Sequence, residues 1–336
     1  AMLFRHWLIL FSTACFGNIL GLNISAGMRT AVSIYILIPL LLVPQLLLGG
    51  AMIKFDDLHK SLSKKIYVPV IGDVMTTRWA FEAICVEQFK NNRFERHFFE
   101  YDMGRSQADW FTAFLLPTLR VKVDQCVAAG KNPEYREHSE INFTKLNYHI
   151  SDLSELSGIK PGKWINSLNY SDFNEIIGDE AKLYLNELST YFRNKSREIS
   201  DTRDALIAQK EAEMGKEGFL RLREKDYNEK LADYVLNRLA TNKIYDSDNI
   251  NRLIQKADPI FMPPGSRYGR AHFFAPYKLV GNIKISTMIF NVIAIWIMTL
   301  FLFVTLYYNI LNRFILYLEK LKLPIWRKFG RELLRI

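Results

Sequence analysis

Three stretches of this 336-residue chain contain no Asp, Glu, Lys or Arg: residues 7–26, 30–53 and 285–311. A helix crosses the hydrocarbon core of a bilayer with about 20 apolar residues, so each stretch predicts a transmembrane helix. Overall, 49% apolar and 24% charged residues would suit a soluble protein, but this average hides the segregation. The segregation excludes a simple cytosolic enzyme, a collagen-like chain and a disordered tail. No basic n-region with a cleavage site precedes the first stretch, so it does not read as a signal peptide. Cys15, Cys85 and Cys126 are too few for a disulfide framework. Cys85 and Cys126 either pair in an oxidising space or stay as buried thiols.

The formal charge is +9, and its distribution matters more than its size. Residues 54–284 are nearly balanced, with 35 basic and 33 acidic side chains. Residues 312–336 carry seven basic residues against Glu319 and Glu332. An excess that directly follows a span points to a cytoplasmic tail. Leu321, Leu323, Ile325, Trp326 and Phe329 give that tail apolar anchors for an anionic lipid surface. Nucleic acid is not the expected partner. The third span then runs inward, residues 54–284 are extracytoplasmic, and the link containing Arg29 is cytoplasmic. The first span must start outside, which predicts further spans upstream.

The predicted fold is an all-α membrane protein with a large helical extracytoplasmic insert. Residues 1–53 hold two spans, 54–77 form a re-entrant or interfacial elbow, and 78–284 form the external domain. Residues 285–311 are the final span and 312–336 the basic tail. The first span carries Gly17, Gly21 and Ser25 at small-xxx-small spacing, which lets another helix approach closely. Asn18 and Asn23 are polar at membrane depth and are expected to face protein or a water-filled path. The second span contains Pro39, Pro44, Gln45 and the Gly49-Gly50 pair. Prolines remove backbone donors and kink helices, and a membrane tolerates them where protein or a cavity satisfies the freed carbonyls. This helix is expected to line something. Helical apolar spacing runs from Arg78 to about Tyr101 and from Trp110 to Ala129. Residues 131–167 look irregular. Residues 172–239 suggest a hairpin of two long helices broken near Gly215 and Gly218, and 249–257 a short helix.

No catalytic set is legible. Gly158-Ile-Lys-Pro-Gly162-Lys163-Trp164 is too short for a Walker A and lacks its Ser/Thr. Gly104, Ser106 and Ala108 only approximate a nucleophile elbow, and no strand precedes them. The six histidines show no HExxH and no Cys partner at ligand spacing, so no metal site is expected.

The order of these features resembles the permease half of ABC-2 type transporters, particularly the G-subfamily (white-type) exporters. The residues that carry it are the proline-bearing span, then Gly49-Gly50-Ala51-Met52-Ile53, then an elbow. Met75-Thr-Thr-Arg78-Trp79-Ala80-Phe81-Glu82-Ala83 and Glu87-Gln88-Phe89 complete it. The run Arg270-Ala-His-Phe-Phe-Ala-Pro276 before the last span is similar to large Bacteroidetes-type ABC proteins. The resemblance implies that the three spans are the last three of six. It also implies a bacterial inner (plasma) membrane and partnership with upstream helices, a nucleotide-binding domain and a second permease copy. ATP and magnesium would bind that other domain and no cofactor this segment. The substrate path would run at the dimer axis, with Asn18, Asn23, Pro39, Pro44 and Gln45 as path or hinge positions. The gate would fall at Ala51 and Met52, where alanine replaces the family's usual leucine. Arg78 and Glu82, at i and i+4, would pair at the elbow. The expected function is the permease part of an ATP-driven exporter. The rival is a non-transporting membrane-anchored helical domain that binds an external partner, but a passive anchor has no use for two prolines, a glutamine and Gly-Gly.

Overall fold

In the computed structural model, residues 2–28, 30–55, 58 and 66–320 are described. In chain order the helices are α1 (Met2–Gly27), α2 (Ala31–Leu47), α3 (Val70–Asp73), α4 (Thr76–Lys90), α5 (Phe99–Trp110) and α6 (Leu116–Ala129). They continue with α7 (Arg136–Ser157), α8 (Glu175–Met214), α9 (Lys216–Asp226) and α10 (Glu229–Val235). Two antiparallel hairpins follow, β1 (Ile244–Tyr245) with β2 (Ile254–Gln255) and β3 (Tyr277–Val280) with β4 (Ile283–Ser286). The chain then forms α11 (Thr287–Tyr307) and α12 (Ile310–Lys320). The fold is therefore mostly helical but not purely so. The tail anchors from Leu321 onward, Arg29 and most of the elbow between Phe55 and Ile66 lie outside the described residues.

Two compact units emerge. One comprises Ala1–Gln88, Pro264–Phe273 and Tyr277–Ile336; the other comprises Phe89–Pro263 and Phe274–Pro276. The dividing point at Gln88 differs from the expected boundary at residue 77.

In the first unit, α1 and α11 are long and apolar enough to cross a membrane. The second expected span is shorter than residues 30–53: α2 has 17 residues, about 26 Å of helix, and turns occupy residues 48–53. Thr30 caps its start, and Pro39 and Pro44 lie inside it. Ile9, Phe16, Met288, Val292 and Ile295 form the seam between α1 and α11, joined by Ala80 and Ala83 of α4. Polar ties fix the register. Trp296 Nε1 donates to Ser12 Oγ at 3.0 Å, Asn23 Nδ2 to the Leu302 carbonyl at 2.9 Å, and Thr305 Oγ1 to Asn23 Oδ1 at 2.9 Å. Later residues of α1 meet later residues of α11, so the two helices run parallel. Close approach at the far end depends on Gly27, where a Cβ would lie 2.7 Å from Leu311 Cδ2 of α12.

The second unit buries Leu116, Leu119, Val123, Leu146, Ile150, Leu153, Leu185 and Leu188 at the junction of α6, α7 and α8. The segment 131–167 is not irregular: α7 occupies 22 of its residues. Its buried face includes Ser139, Asn142, Lys145 and His149 among Phe143, Leu146, Ile150 and Leu153. Half of a regular helical stripe is polar, which hid it from an apolar count. The polar half has partners. Lys122 Nζ of α6 and Lys145 Nζ of α7 each lie 2.6 Å from one oxygen of Asp246, beside β1. Lys122 also donates to Asn142 Oδ1 at 3.0 Å. The expected helix at 249–257 is replaced by turns and β2. The 40-residue α8 reverses at Gly215 (φ +78°) into the much shorter α9, and Phe94, Phe98 and Phe219 pack beneath the reversal.

Two titratable groups of this unit oppose each other. His149 Nε2 accepts from the Leu253 amide at 2.8 Å, and burial pushes its pKa down to about 4. The unfolded ring takes up a proton below pH 6.5, so His149 makes stability fall as pH drops from 6.5 to 4. Burial, reinforced by Asp102, pushes Glu95 up to about 7. The unfolded carboxyl loses its proton first, so Glu95 makes stability fall as pH rises from its ordinary value of 4.5 to 7. Denaturant melts of the solubilised chain across pH 4–7 should therefore show a shallow profile. Glu95→Gln should steepen the loss below pH 6.5, and His149→Gln should remove it; identical profiles would refute the assignment.

Candidate functional site

The corner after α2 is built by Gln45 and two glycines. Thr77 Oγ1, in the first turn of α4, donates to the Gln45 carbonyl at 2.5 Å, and the Thr77 amide donates to Gln45 Oε1 at 3.3 Å. Gln45 thus ties the end of α2 to an N-terminal amide that α4 itself cannot satisfy. A Cβ on Gly49 would sit 2.7 Å from both the Gln45 carbonyl oxygen and Thr77 Oγ1. Gly50 has φ +80°, and a Cβ there would meet Phe273 Cζ at 2.7 Å and Phe55 Cε2 at 2.8 Å. The Gly-Gly pair is therefore a steric requirement of this corner.

From the corner, α4 runs back along α11 in the opposite sense. Thr76 Oγ1 lies 3.9 Å from Met298 Sδ, while Asn291 Nδ2 donates to the Trp79 carbonyl and to Glu82 Oε2, both at 2.9 Å. Arg5 of α1 pairs with Glu87 further along. Met298 lies eleven residues into α11, about 16 Å at 1.5 Å per residue. The first turn of α4 therefore lies well along α11 from its start.

A charged cluster locks this arrangement. Glu82 is fully buried. Lys278 Nζ of β3 donates to Glu82 Oε1 at 2.7 Å, and Arg78 Nη1 lies 3.5 Å from Glu82 Oε2. Arg78 also faces Asp73 at 3.8 Å and stacks on the Trp79 ring at 3.8 Å. Arg270 Nη2 reaches Asp73 Oδ2 at 3.4 Å and donates to the Val68 carbonyl at 2.9 Å. A buried carboxylate needs such a set of donors to stay charged.

The expected path residues do not converge in this chain. Asn23 is buried and spends its amide on α11. Asn18, Gly17, Gly21 and Ser25 are exposed. Pro39 is exposed, Pro44 is half-buried, and no residue of α2 is buried. Ala51 and Met52 are exposed. Arg78 and Glu82 come together, but with Lys278 and Asn291, which the sequence reading missed. Lys278 lies 196 residues from Glu82, and no local spacing could have paired them. The three cysteines are free thiols, and no cluster suited to a metal occurs among the described residues.

No curated protein and no solved structure matches the chain. Residues 1–89, which hold α1, α2, the Gly49-Gly50 corner and nearly all of α4, match the family model of ABC-2 type transporters, so about the first quarter of the chain is similar to the membrane domain of such a transporter.

Proposed function

We propose that this chain is the permease part of an ATP-driven exporter. The observation that carries the reading is α2 together with its corner. Within the segment that matches the family, α2 has two internal prolines, no buried residue and a polar clasp at its end. A helix of this kind is a wall awaiting other surfaces, supplied here by upstream spans and a second copy at a two-fold axis. Residues 30–53 complete a third span, with the turns after α2 finishing the crossing. The parallel α1 and α11 both run inward, the C-terminus is cytoplasmic, and residues 54–284 face outward across a bacterial inner membrane. ATP and magnesium act on a nucleotide-binding domain that contacts the cytoplasmic side. Switching of that domain tilts α2 about Pro39 and Pro44, with Gln45 and Thr77 holding the corner after α2 and Ala51 and Met52 gating the exit. A passive anchor is disfavoured because it gains nothing from this clasp.

The test uses the full transporter. Gln45→Leu removes the side-chain acceptor of the clasp, and Met52→Ala widens the gate. Each is expected to change export and substrate-stimulated ATPase activity several-fold while leaving membrane insertion intact. Unchanged export and ATPase activity in both variants would sink the path assignment.

A further inference from the structure

Beside the charged cluster lies a cavity of about 170 Å³, lined by Asp73, Arg78, Trp79, Tyr268, Arg270 and Phe290 among others. Arg78 is 1% exposed, yet its Nε and Nη1 have no hydrogen-bond partner among the described residues. Its neighbours Asp73 and Glu82 lie 3.8 and 3.5 Å away, beyond ordinary hydrogen-bond reach. Arg78 lines the cavity, and buried guanidinium donors without a partner are costly unless something satisfies them. The linked charges are Arg78, Arg270 and Lys278 against Asp73 and Glu82, which leaves one positive charge uncompensated. The geometry thus suits a singly charged oxyanion, which a guanidinium fork binds through paired donors.

The rest of the wall is aromatic. Trp79 and Phe290 flank the cavity, and Tyr268 stands at its mouth, 92% exposed. Gly269 (φ +74°) keeps the backbone close to Phe290, where a Cβ would approach Phe290 Cζ to 2.9 Å. A second hollow of about 480 Å³ shares Tyr268, Gly269 and Phe290 and is also lined by Val280, Arg267 and Asn282, so the charged cavity adjoins a surface of mixed apolar and polar character. Phe290 belongs to the first turn of α11, the level at which aromatic side chains gather at a membrane–water boundary. We propose that this cavity binds the phosphodiester of a phospholipid headgroup, with the glycerol and acyl chains leaving over Tyr268 and Phe290. The proposal depends on the membrane character of α11 and is independent of the transport reading.

The full chain, purified in a neutral maltoside detergent, would be titrated calorimetrically with dihexanoyl phosphatidylglycerol, dihexanoylglycerol and inorganic phosphate. Saturable binding of the phosphatidylglycerol alone is expected. It should weaken at least tenfold in Arg78→Gln and several-fold in Arg270→Gln, with Arg78→Lys intermediate because it keeps the charge and loses the fork. Arg270 is half-exposed, so its variant keeps the test valid if Arg78→Gln fails to fold. Equal binding of the neutral dihexanoylglycerol, wild-type affinity in both Arg270→Gln and Arg78→Lys, or no binding of phosphatidylglycerol would overturn the proposal. Inorganic phosphate binding as tightly as the lipid would also overturn it, by assigning the cavity to a free anion.

Discussion

Glu82→Ala is expected to cost the first unit about 3–5 kcal/mol, because it takes the carboxylate from buried Lys278 and, among the described residues, leaves buried Arg78 only the more distant Asp73. Lys278 and Arg78 have side chains only 1% and 2% exposed, and Glu82 is the closest counter-charge to each. Asn291 Nδ2 would lose the Glu82 carboxylate as an acceptor and keep the Trp79 carbonyl, loosening α4 from α11. Thermal unfolding of the detergent-solubilised chain would measure this directly. Glu82→Gln should be milder, since its amide oxygen can still accept from Lys278 or Asn291 while the charge is lost. The double variant Glu82→Leu with Lys278→Met should recover part of the loss, because the buried lysine leaves together with its partner. A Glu82→Ala protein that melts with the wild type would mean that solvent already reaches this cluster.

The second large effect is expected at Asp246. One carboxylate holds the ammonium groups of both Lys122 and Lys145 at 2.6 Å, and Lys145 is fully buried. Among the described residues, Asp246→Ala leaves Lys145 with Asp248 as its remaining counter-charge, 3.7 Å away and largely exposed. Lys122 retains Asn142. A loss of about 3 kcal/mol follows from the unpaired buried charge. It should release the β1–β2 hairpin first, since Asp246 ties that hairpin to α6 and α7. Limited proteolysis read by mass spectrometry should show new cleavage between residues 237 and 256 before any in α8. Protection equal to wild type would show that the His149 bond to the Leu253 amide is enough to hold the hairpin.

The apolar parts of the chain were legible because burial in lipid and burial in a core both leave a compositional trace. Residues 7–26 and 285–311 became α1 and α11 almost to their ends, and the break at Gly215 was readable from the glycine itself. Failures came where buried faces are polar. The α7 stripe alternates Asn142, Lys145 and His149 with leucine and isoleucine, and hydropathy periodicity counts only the second kind. The contact that Gln45 makes was equally hidden, although its place on the proline-bearing span was plain. In the structure it clasps Thr77, 32 residues away.

By itself, the sequence determined where charge is absent, where helices must break and how basic residues are apportioned along the chain. These are local properties, set by desolvation and by backbone freedom at proline and glycine, and they suffice for the uncharged helices α1 and α11 and for the break at Gly215. Only the tertiary structure decided that Arg78 and Glu82 belong to a cluster completed by Lys278 and Asn291, and that residues from three distant stretches of the chain enclose a cavity beside Arg78. Compensating a buried charge depends on distance in space, and partners nearly two hundred residues apart leave no periodic mark in either segment.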